Sequence, residues 1–425
     1  MRVAVLGGGY AGVALARRLE GSLDDDVDLV VVDDTGTHLV QHELHRLVRR
    51  PTLADDIDLP LGDLLDGSRV VDGRVTEVDP DEGVVRFEER DPLAYDAGAL
   101  CLGAETAYHD LPGVREHATP LKRVGDALAV RERFLSVCAG DGHAVVGGAG
   151  LSGVQVAGEL VALADELDAD PRVTVLEQAD RVAPTFKAPF GRAVGTALER
   201  LGVEVRTGTE VAAVDDDAID LADGEAMAYD QLVWTGGITG SPAVDGERPQ
   251  VRADLRVGER TVGVGDAVRA VDANGEVVPA SAQSAVREAE TAATNVRRLL
   301  EGGDGVFEPR LERFTFDSPG WLVSVGDDAV GQVGPTVVTG AAARALKATV
   351  GANYFTSVGA VRKATDLVYE ELGLGDAEPP DDVEWPGGEV GERSDGAEGD
   401  ATGGPEDGDA AGDPEEGDAA GDGAA

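Results

Sequence analysis

Two stretches of this chain share one grammar, and that repetition limits the fold more than any other feature. "RVAVLGGGYAG" covers residues 2–12, and "AVVGGAGLSGVQVAGEL" covers residues 144–160. Each reads as a short apolar strand, a glycine turn and the start of a helix. In the first, Gly7, Gly9 and Gly12 follow the strand as GxGxxG, with Tyr10 and Ala11 opening the helix. In the second, Gly148, Gly150 and Gly153 stand in the same places. The first glycine of such a loop makes a tight turn, the second lets backbone approach a pyrophosphate, and the third lets helix pack on strand. The helix N-terminus then offers free N–H groups and partial positive charge to the phosphates.

The grammar continues downstream of both loops. "VDLVVV" reads as a second strand ending on Asp33, 21 residues past Gly12, and "RVTVLE" as one ending on Glu177, 24 residues past Gly153. A carboxylate at this point accepts hydrogen bonds from ribose hydroxyls, and Glu177 would repel a 2′-phosphate, favouring NADH over NADPH. A third echo is "YDAGALCLGA" at 95–104 against "YDQLVWTGGI" at 229–238. Each is Tyr-Asp, a strand and a small-residue turn, at Gly103 in one and at Gly236 and Gly237 in the other. The repeated order predicts an α/β fold with two Rossmann-like dinucleotide-binding domains. "RTVGVGDAV" at 260–268 is a strand ending in Gly265-Asp266 that returns to the first half, so the second domain is an insert in the first.

Composition narrows the setting. The net charge is −46, of which the Gly-, Ala-, Asp-, Glu- and Pro-rich segment 375–425 supplies −17 and the remainder −29. That segment lacks the apolar content to offset chain-ordering entropy and is expected to be a disordered acidic tail. Only four of the 36 basic residues are lysine, namely Lys122, Lys187, Lys347 and Lys363. An acidic, lysine-poor body resembles proteins of a salt-loaded, halophilic cytoplasm, where molar salt screens charge within ~3 Å. Nucleic acid is excluded as a partner, because phosphate binding needs a basic face. Cys101 and Cys138 form no CxxC pattern and imply neither a disulfide framework nor a metal site. No secretory leader or apolar run near 18 residues is visible, so the expected location is cytoplasmic.

With these stretches in view, the chain resembles the FAD/NAD(P)-dependent two-dinucleotide oxidoreductases, the pyridine nucleotide-disulfide oxidoreductase superfamily. The resemblance implies that the first loop holds FAD through Gly7, Gly9, Tyr10, Ala11, Gly12, Asp33, Val75 and Gly103. It implies that Asp266 bonds the flavin's ribityl-phosphate region. The helix of "VPASAQSAVREAETAATNVRRLL", starting near Ser281 with Ala282 and Gln283, would then aim its N-terminus at the isoalloxazine ring, where an anion is stabilised. NADH goes to Gly148, Gly150, Gly153, Glu177, Gly236 and Gly237. The boundaries that follow are 1–110 with 240–303 for FAD, 111–239 for NADH, and 304–374 for a C-terminal interface or membrane-surface region.

Hydride transfer between two cofactors needs no side-chain acid or base, so the absence of a triad or carboxylate pair is expected. The electron acceptor is harder to read. "HLVQHELHRLVRR" lacks the CxxxxC pair of disulfide reductases and the single cysteine of coenzyme A-disulfide reductases. Over residues 1–370 the motif order is most similar to type II NADH dehydrogenase, the NADH:quinone oxidoreductase. "DDTGTHLVQHEL", "YDAGALCLGAETAYHDLPGVREHATPLKRVGDAL" and "PASAQSA" carry that similarity. It implies that Gln283, within the Ala282-Gln283-Ala285 pattern, meets flavin and quinone. Two positions depart from the family: Gln155 replaces a glutamate held to couple proton and electron transfer, and Arg287 replaces a glutamine. A soluble reductase serving ferredoxin, a sulfide:quinone reductase and a nucleotide-binding redox sensor stay open as alternatives. No metal site is expected, and His38 and His42 follow Asp33 closely enough to lie near the flavin.

Quinones are lipid-borne, and residues 340–365 carry Arg344, Lys347, Arg362 and Lys363 with no acid. Leu346, Val350, Tyr354, Phe355, Val358 and Val361 accompany them. The segment is expected either to lie on an anionic bilayer as a peripheral contact, or to pack on the flavin domain or a second subunit of a homodimer.

Overall fold

The computed structural model describes residues 1–302, 309–358 and 360. The chain divides into two units, 1–379 and 380–425, and every described residue lies in the first. The expected acidic tail, and Val361, Arg362 and Lys363 of the basic segment, lie outside the described residues.

The first glycine loop joins β1 (Arg2–Leu6) to α1 (Tyr10–Glu20), and β2 (Asp28–Asp33) follows. Val3, Ala4, Val5 and Leu6 of β1 are all fully buried, as are Val30, Val31 and Val32 of β2. Strands apolar on both faces can only lie inside a sheet covered on both sides, which is the parallel arrangement. β3 (Arg69–Asp72), β4 (Val75–Asp79), β5 (Ala97–Leu100) and a strand returning much later belong to the same half.

The second half opens with β6 (Ala118–Pro120) and α2 (Val124–Ala139). Then come β7 (His143–Gly147), α3 (Leu151–Glu166), β8 (Arg172–Glu177), α4 (Ala188–Arg200), β9 (Glu204–Thr207) and β10 (Gln231–Trp234). The return strand is β11 (Thr261–Gly263), and α5 (Ala282–Glu301) follows it. The two five-stranded sheets run β11-β5-β1-β2-β3 and β6-β10-β7-β8-β9. All pairings within them are parallel. Each places the strand before its glycine loop in the centre, with the acid-ending strand on one side and the Tyr-Asp strand on the other. The sequence echo is therefore a structural one, and β11 joins the first sheet as its position after the insert requires.

The Tyr-Asp repeat has a local cause. Asp96 accepts the N–H of Arg2 at 2.7 Å, and Asp230 accepts that of His143 at 2.7 Å. Each aspartate ties the strand after it to the first residue of the central strand, setting the register of the neighbouring pair.

The C-terminal part is a three-stranded antiparallel sheet of β12 (Gly320–Val325), β13 (Asp328–Val333) and β14 (Thr336–Thr339), followed by α6 (Ala341–Ser357). It lies against α3, where Gly158 permits the approach: a Cβ there would sit 2.2 Å from the Gly326 nitrogen. Half of the expected lipid face is turned inward. Phe355 and Val358 are buried, and Lys347 pairs with Glu43 of the first half at 3.4 Å, leaving Val350 and Arg344 exposed. Among the described residues no helix is long and apolar enough to cross a membrane, and no cluster of three or more His, Cys, Asp or Glu is placed to hold a metal ion.

Candidate active site

The two glycine loops are built to one plan, residue for residue. Gly7 has φ +115° and Gly148 φ +98°, conformations that a side chain rarely adopts. A Cβ on Gly12 would lie 1.8 Å from the Gly7 carbonyl, and one on Gly153 would lie 1.9 Å from the Gly148 carbonyl. These third glycines let α1 and α3 pack directly on the turn. The middle glycines differ: a Cβ on Gly9 or Gly150 would meet no protein atom within 4 Å. That open space lies at the start of each helix, where a pyrophosphate is received.

Asp33 and Glu177 serve their loops in the same way. Asp33 accepts the N–H of Gly8 at 2.8 Å, and Glu177 that of Ala149 at 2.8 Å. Asp33 also holds the turn after β2 through Thr35 and Gly36, and Glu177 takes the Ala179 N–H at 2.8 Å. Both acids thus brace their loops.

The remaining residues expected at the flavin come from β4, the turn after β5, the Gly-Asp turn and α5. Gly103 follows β5 with φ +67° and open space at its Cβ. A Cβ on Gly265 would sit 3.3 Å from that of Ala11 and 3.0 Å from that of Ala285, which brings the Gly-Asp turn, α1 and α5 together. Oδ1 of Asp266 is buried and has no hydrogen-bond partner among the described residues. A buried carboxylate oxygen left without a donor is costly, and a hydroxyl-rich ligand supplies one. α5 is capped by Ser281, whose hydroxyl accepts the Ser284 N–H at 3.1 Å, and Gln283 is half-buried with its Oε1 accepting from Ser318 at 2.8 Å. Val75 is half-buried on β4 and packs against the face of the first sheet formed by Ala4, Leu6 and Val30. On the other side, Gly236 and Gly237 follow β10, with the Gly236 carbonyl held by His109 at 2.9 Å. The open middle glycines and the donorless Asp266 oxygen fit FAD in the first half, and the matching cradle fits NADH in the second.

Of the segment between the loops, Gln41–Val48, a 3₁₀ helix that touches both halves, sequence reasoning singled out only His42. Its His42 exchanges hydrogen bonds with Tyr10, whose hydroxyl receives the His42 N–H and donates to Nδ1. Nε2 of His45 lies 3.4 Å from Gln155 Nε2 on α3. Glu43 is buried with Arg46 at 3.2 Å, Lys347 at 3.4 Å and His42 at 3.4 Å. Burial opposes its ionisation, yet Lys347, Arg46 and the two histidines hold the carboxyl well below the usual range. His38 is fully buried: Nδ1 donates to the Gly8 carbonyl at 3.0 Å, so Nε2 is the acceptor for the Tyr354 hydroxyl at 2.7 Å. Burial lowers its pKa to about 4, keeping the ring neutral. This places both expected histidines against the first loop and ties the loop to α6. The signal in the sequence was the "HELHR" run, four charged or titratable groups in a stretch too apolar at its ends to be a surface loop. Tyr354→Phe leaves that buried acceptor unpaired and is expected to cost about 1–3 kcal/mol in a urea unfolding curve.

The cysteines are ordinary core residues. Cys101 and Cys138 are both free and buried, and burial raises both thiols, so neither is poised as a redox centre.

Comparison with known proteins agrees with this geometry. The family model of the pyridine nucleotide-disulphide oxidoreductases matches residues 1–289. The chain belongs to that family, and is an oxidoreductase. It is similar to demethylphylloquinone reductase NdbB of Synechocystis, at 28% identity over 332 residues covering 71% of this chain and 80% of that protein. It is also similar to the type II NADH:quinone oxidoreductase of Staphylococcus aureus, at 24% identity over 394 residues covering 85% and 96%. Among solved structures, NDH2 of Plasmodium falciparum in complex with NADH superposes with a TM-score of 0.74 at 15% identity, covering 88% and 98% of the two chains.

Proposed function

We propose that the protein is an FAD-dependent NADH:quinone oxidoreductase of the type II NADH dehydrogenase kind, without proton pumping. The observation that carries this reading is the pair of matched glycine loops with one segment, Gln41–Val48, meeting Tyr10 at the start of α1 and Gln155 and Glu159 on α3. Two nucleotides held on one plan, with a shared element between their loops, suit direct transfer from one to the other. When bound, FAD supplies a two-electron carrier that accepts hydride from NADH. The chain's own residues do the rest. Gly9 and Gly150 leave room for the pyrophosphates, Asp266 accepts a hydroxyl, and Asp33 and Glu177 fix the loops and meet the riboses. Residues 1–110 with 240–303 form the flavin half and 111–239 the NADH half, with 304–374 as an accessory region.

Quinone is the acceptor that the relatives' names support, and the missing thiols agree with it. Gln283 at the start of α5 and Gln155 on α3 are the candidates for contact with the reacting ends. The protein works at the cytoplasmic face of the cell membrane as a peripheral protein, through the exposed side of α6, and as a homodimer. Purified in roughly molar KCl, it is expected to oxidise NADH with a soluble quinone, and not with ferredoxin or with sulfide plus quinone. Turnover with ferredoxin and none with quinone would replace this reading by that of a soluble reductase.

Nucleotide choice rests on Glu177. Glu177→Ser removes the charge that repels a 2′-phosphate, and the preference for NADH over NADPH is expected to fall at least about tenfold, or about 1.4 kcal/mol. Steady-state kcat/KM with the two nucleotides reads this out, and an unchanged ratio removes Glu177 from nucleotide selection.

A further inference from the structure

One carboxylate is buried beside the candidate site with no part in holding either nucleotide. Glu159 is 6% exposed on α3, one helical turn beyond Gln155, so the two share a face. That face looks onto His45, itself 2% exposed: its Nε2 is 4.0 Å from Glu159 Oε1 and 3.4 Å from Gln155 Nε2. His45 belongs to the segment whose His42 meets Tyr10 at the start of α1, while its own ring faces Gln155 and Glu159 on α3.

Glu159 also has cationic neighbours. Arg49 is 3.9 Å away from Oε2, but its guanidinium is already bonded to Glu166 and Asp327, each at 2.6 Å. Arg46 and Arg50 from the same side, and Lys347 from α6, also favour its ionised form. Burial is the largest influence, and it pushes the Glu159 carboxyl up to about 7. Burial likewise holds His45 well below its ordinary value, so its ring is neutral and able to take a proton briefly. The Gln155 amide suits such a pair, because turning its terminal group lets it face His45 Nε2 as donor or as acceptor.

The reaction needs a proton from somewhere. NADH, one proton and quinone give NAD⁺ and quinol; the hydride brings two electrons and one proton, while quinol gains two O–H bonds. We propose that Glu159 and His45 supply the second proton, with Glu159 as its store and His45 as its carrier; this rests on the quinone reading above. The Glu159 O–H bond breaks as an N–H bond forms at His45 Nε2, and His45 releases the proton on its other nitrogen toward the acceptor. The 4.0 Å separation is spanned by a bridging water or a small side-chain rotation. Solvent then returns a proton to the carboxylate. Glu159 acts through His45 and is a positioning residue.

The test uses the full chain with its flavin, comparing wild type, Glu159→Gln, Glu159→Asp and His45→Gln. Flavin bleaching by NADH is expected to change less than about twofold in each. Reoxidation by a soluble quinone is expected to slow about 10²-fold in Glu159→Gln and to lose its dependence on pH around neutrality, with partial recovery in Glu159→Asp. His45→Gln should show the same loss, and it carries the test if Glu159→Gln does not retain flavin. Independently of turnover, the infrared band of a protonated carboxyl should titrate near pH 7 in wild type and be missing from the Glu159→Gln spectrum. Wild-type reoxidation with unchanged rates and pH profile in both variants overturns the proposal, as does the lack of a Glu159-dependent band. If wild type is bleached by NADH but never reoxidised by quinone, the quinone reading itself fails and the proposal goes with it.

Discussion

Gly9→Ala yields a folded protein that has lost its flavin. A Cβ at Gly9 meets no protein atom within 4 Å, and its backbone, at φ −74° and ψ −166°, is open to any residue. The apo chain therefore has no reason to be destabilised, and its urea midpoint is expected to match that of flavin-stripped wild type. The added methyl instead occupies the space through which a pyrophosphate reaches the N–H groups of α1. Flavin occupancy is expected to drop at least about tenfold, a penalty of about 1.4 kcal/mol or more. The absorbance of the purified protein, before and after added FAD, measures it. Full occupancy in Gly9→Ala would mean that the first loop does not hold the pyrophosphate.

Gly150→Ala makes the complementary cut. Its φ of −66° and ψ of 177° are equally permissive, and its Cβ likewise meets nothing. This variant is expected to keep its full flavin, because the first loop is untouched. NADH no longer seats against α3, so KM for NADH is expected to rise at least about tenfold while dithionite still bleaches the flavin. Loss of flavin in Gly150→Ala would contradict the division of labour between the loops. Substitution at Gly12 or Gly153 would be less informative, since a Cβ there strikes the backbone of its own turn and disturbs fold and binding together.

Most of the nucleotide framework was legible because it is local. A glycine with φ +115°, a helix packed on its own turn and an acid at the next strand end each leave a mark within a few residues of sequence. The Tyr-Asp echo was visible too, although its cause, a carboxylate holding the first N–H of the central strand, needed the structure. The cluster at Glu43, His45, Glu159 and Lys347 was not legible, because its members come from three elements far apart in sequence. Glu159 in particular reads as an ordinary polar residue in the middle of a helix, and its burial beside the Gln41–Val48 segment needed the structure. In the basic segment 340–365, Lys347 and Tyr354 bond to the first half and Phe355 and Val358 are buried, while Val350 and Arg344 stay exposed, a division set by packing that the sequence does not show. Arg287, read as a departure from the family, is exposed on α5, and no contact among the described residues explains it.

The central claim is that one chain holds two different nucleotides and passes two electrons between them to a quinone. An anaerobic titration of the flavin-loaded protein in roughly molar KCl tests it most directly. One equivalent of NADH should bleach the flavin absorbance, and one equivalent of a soluble quinone should restore it with quinol as product. A flavin that NADH leaves unbleached, or that bleaches and is never restored by quinone, would contradict the account.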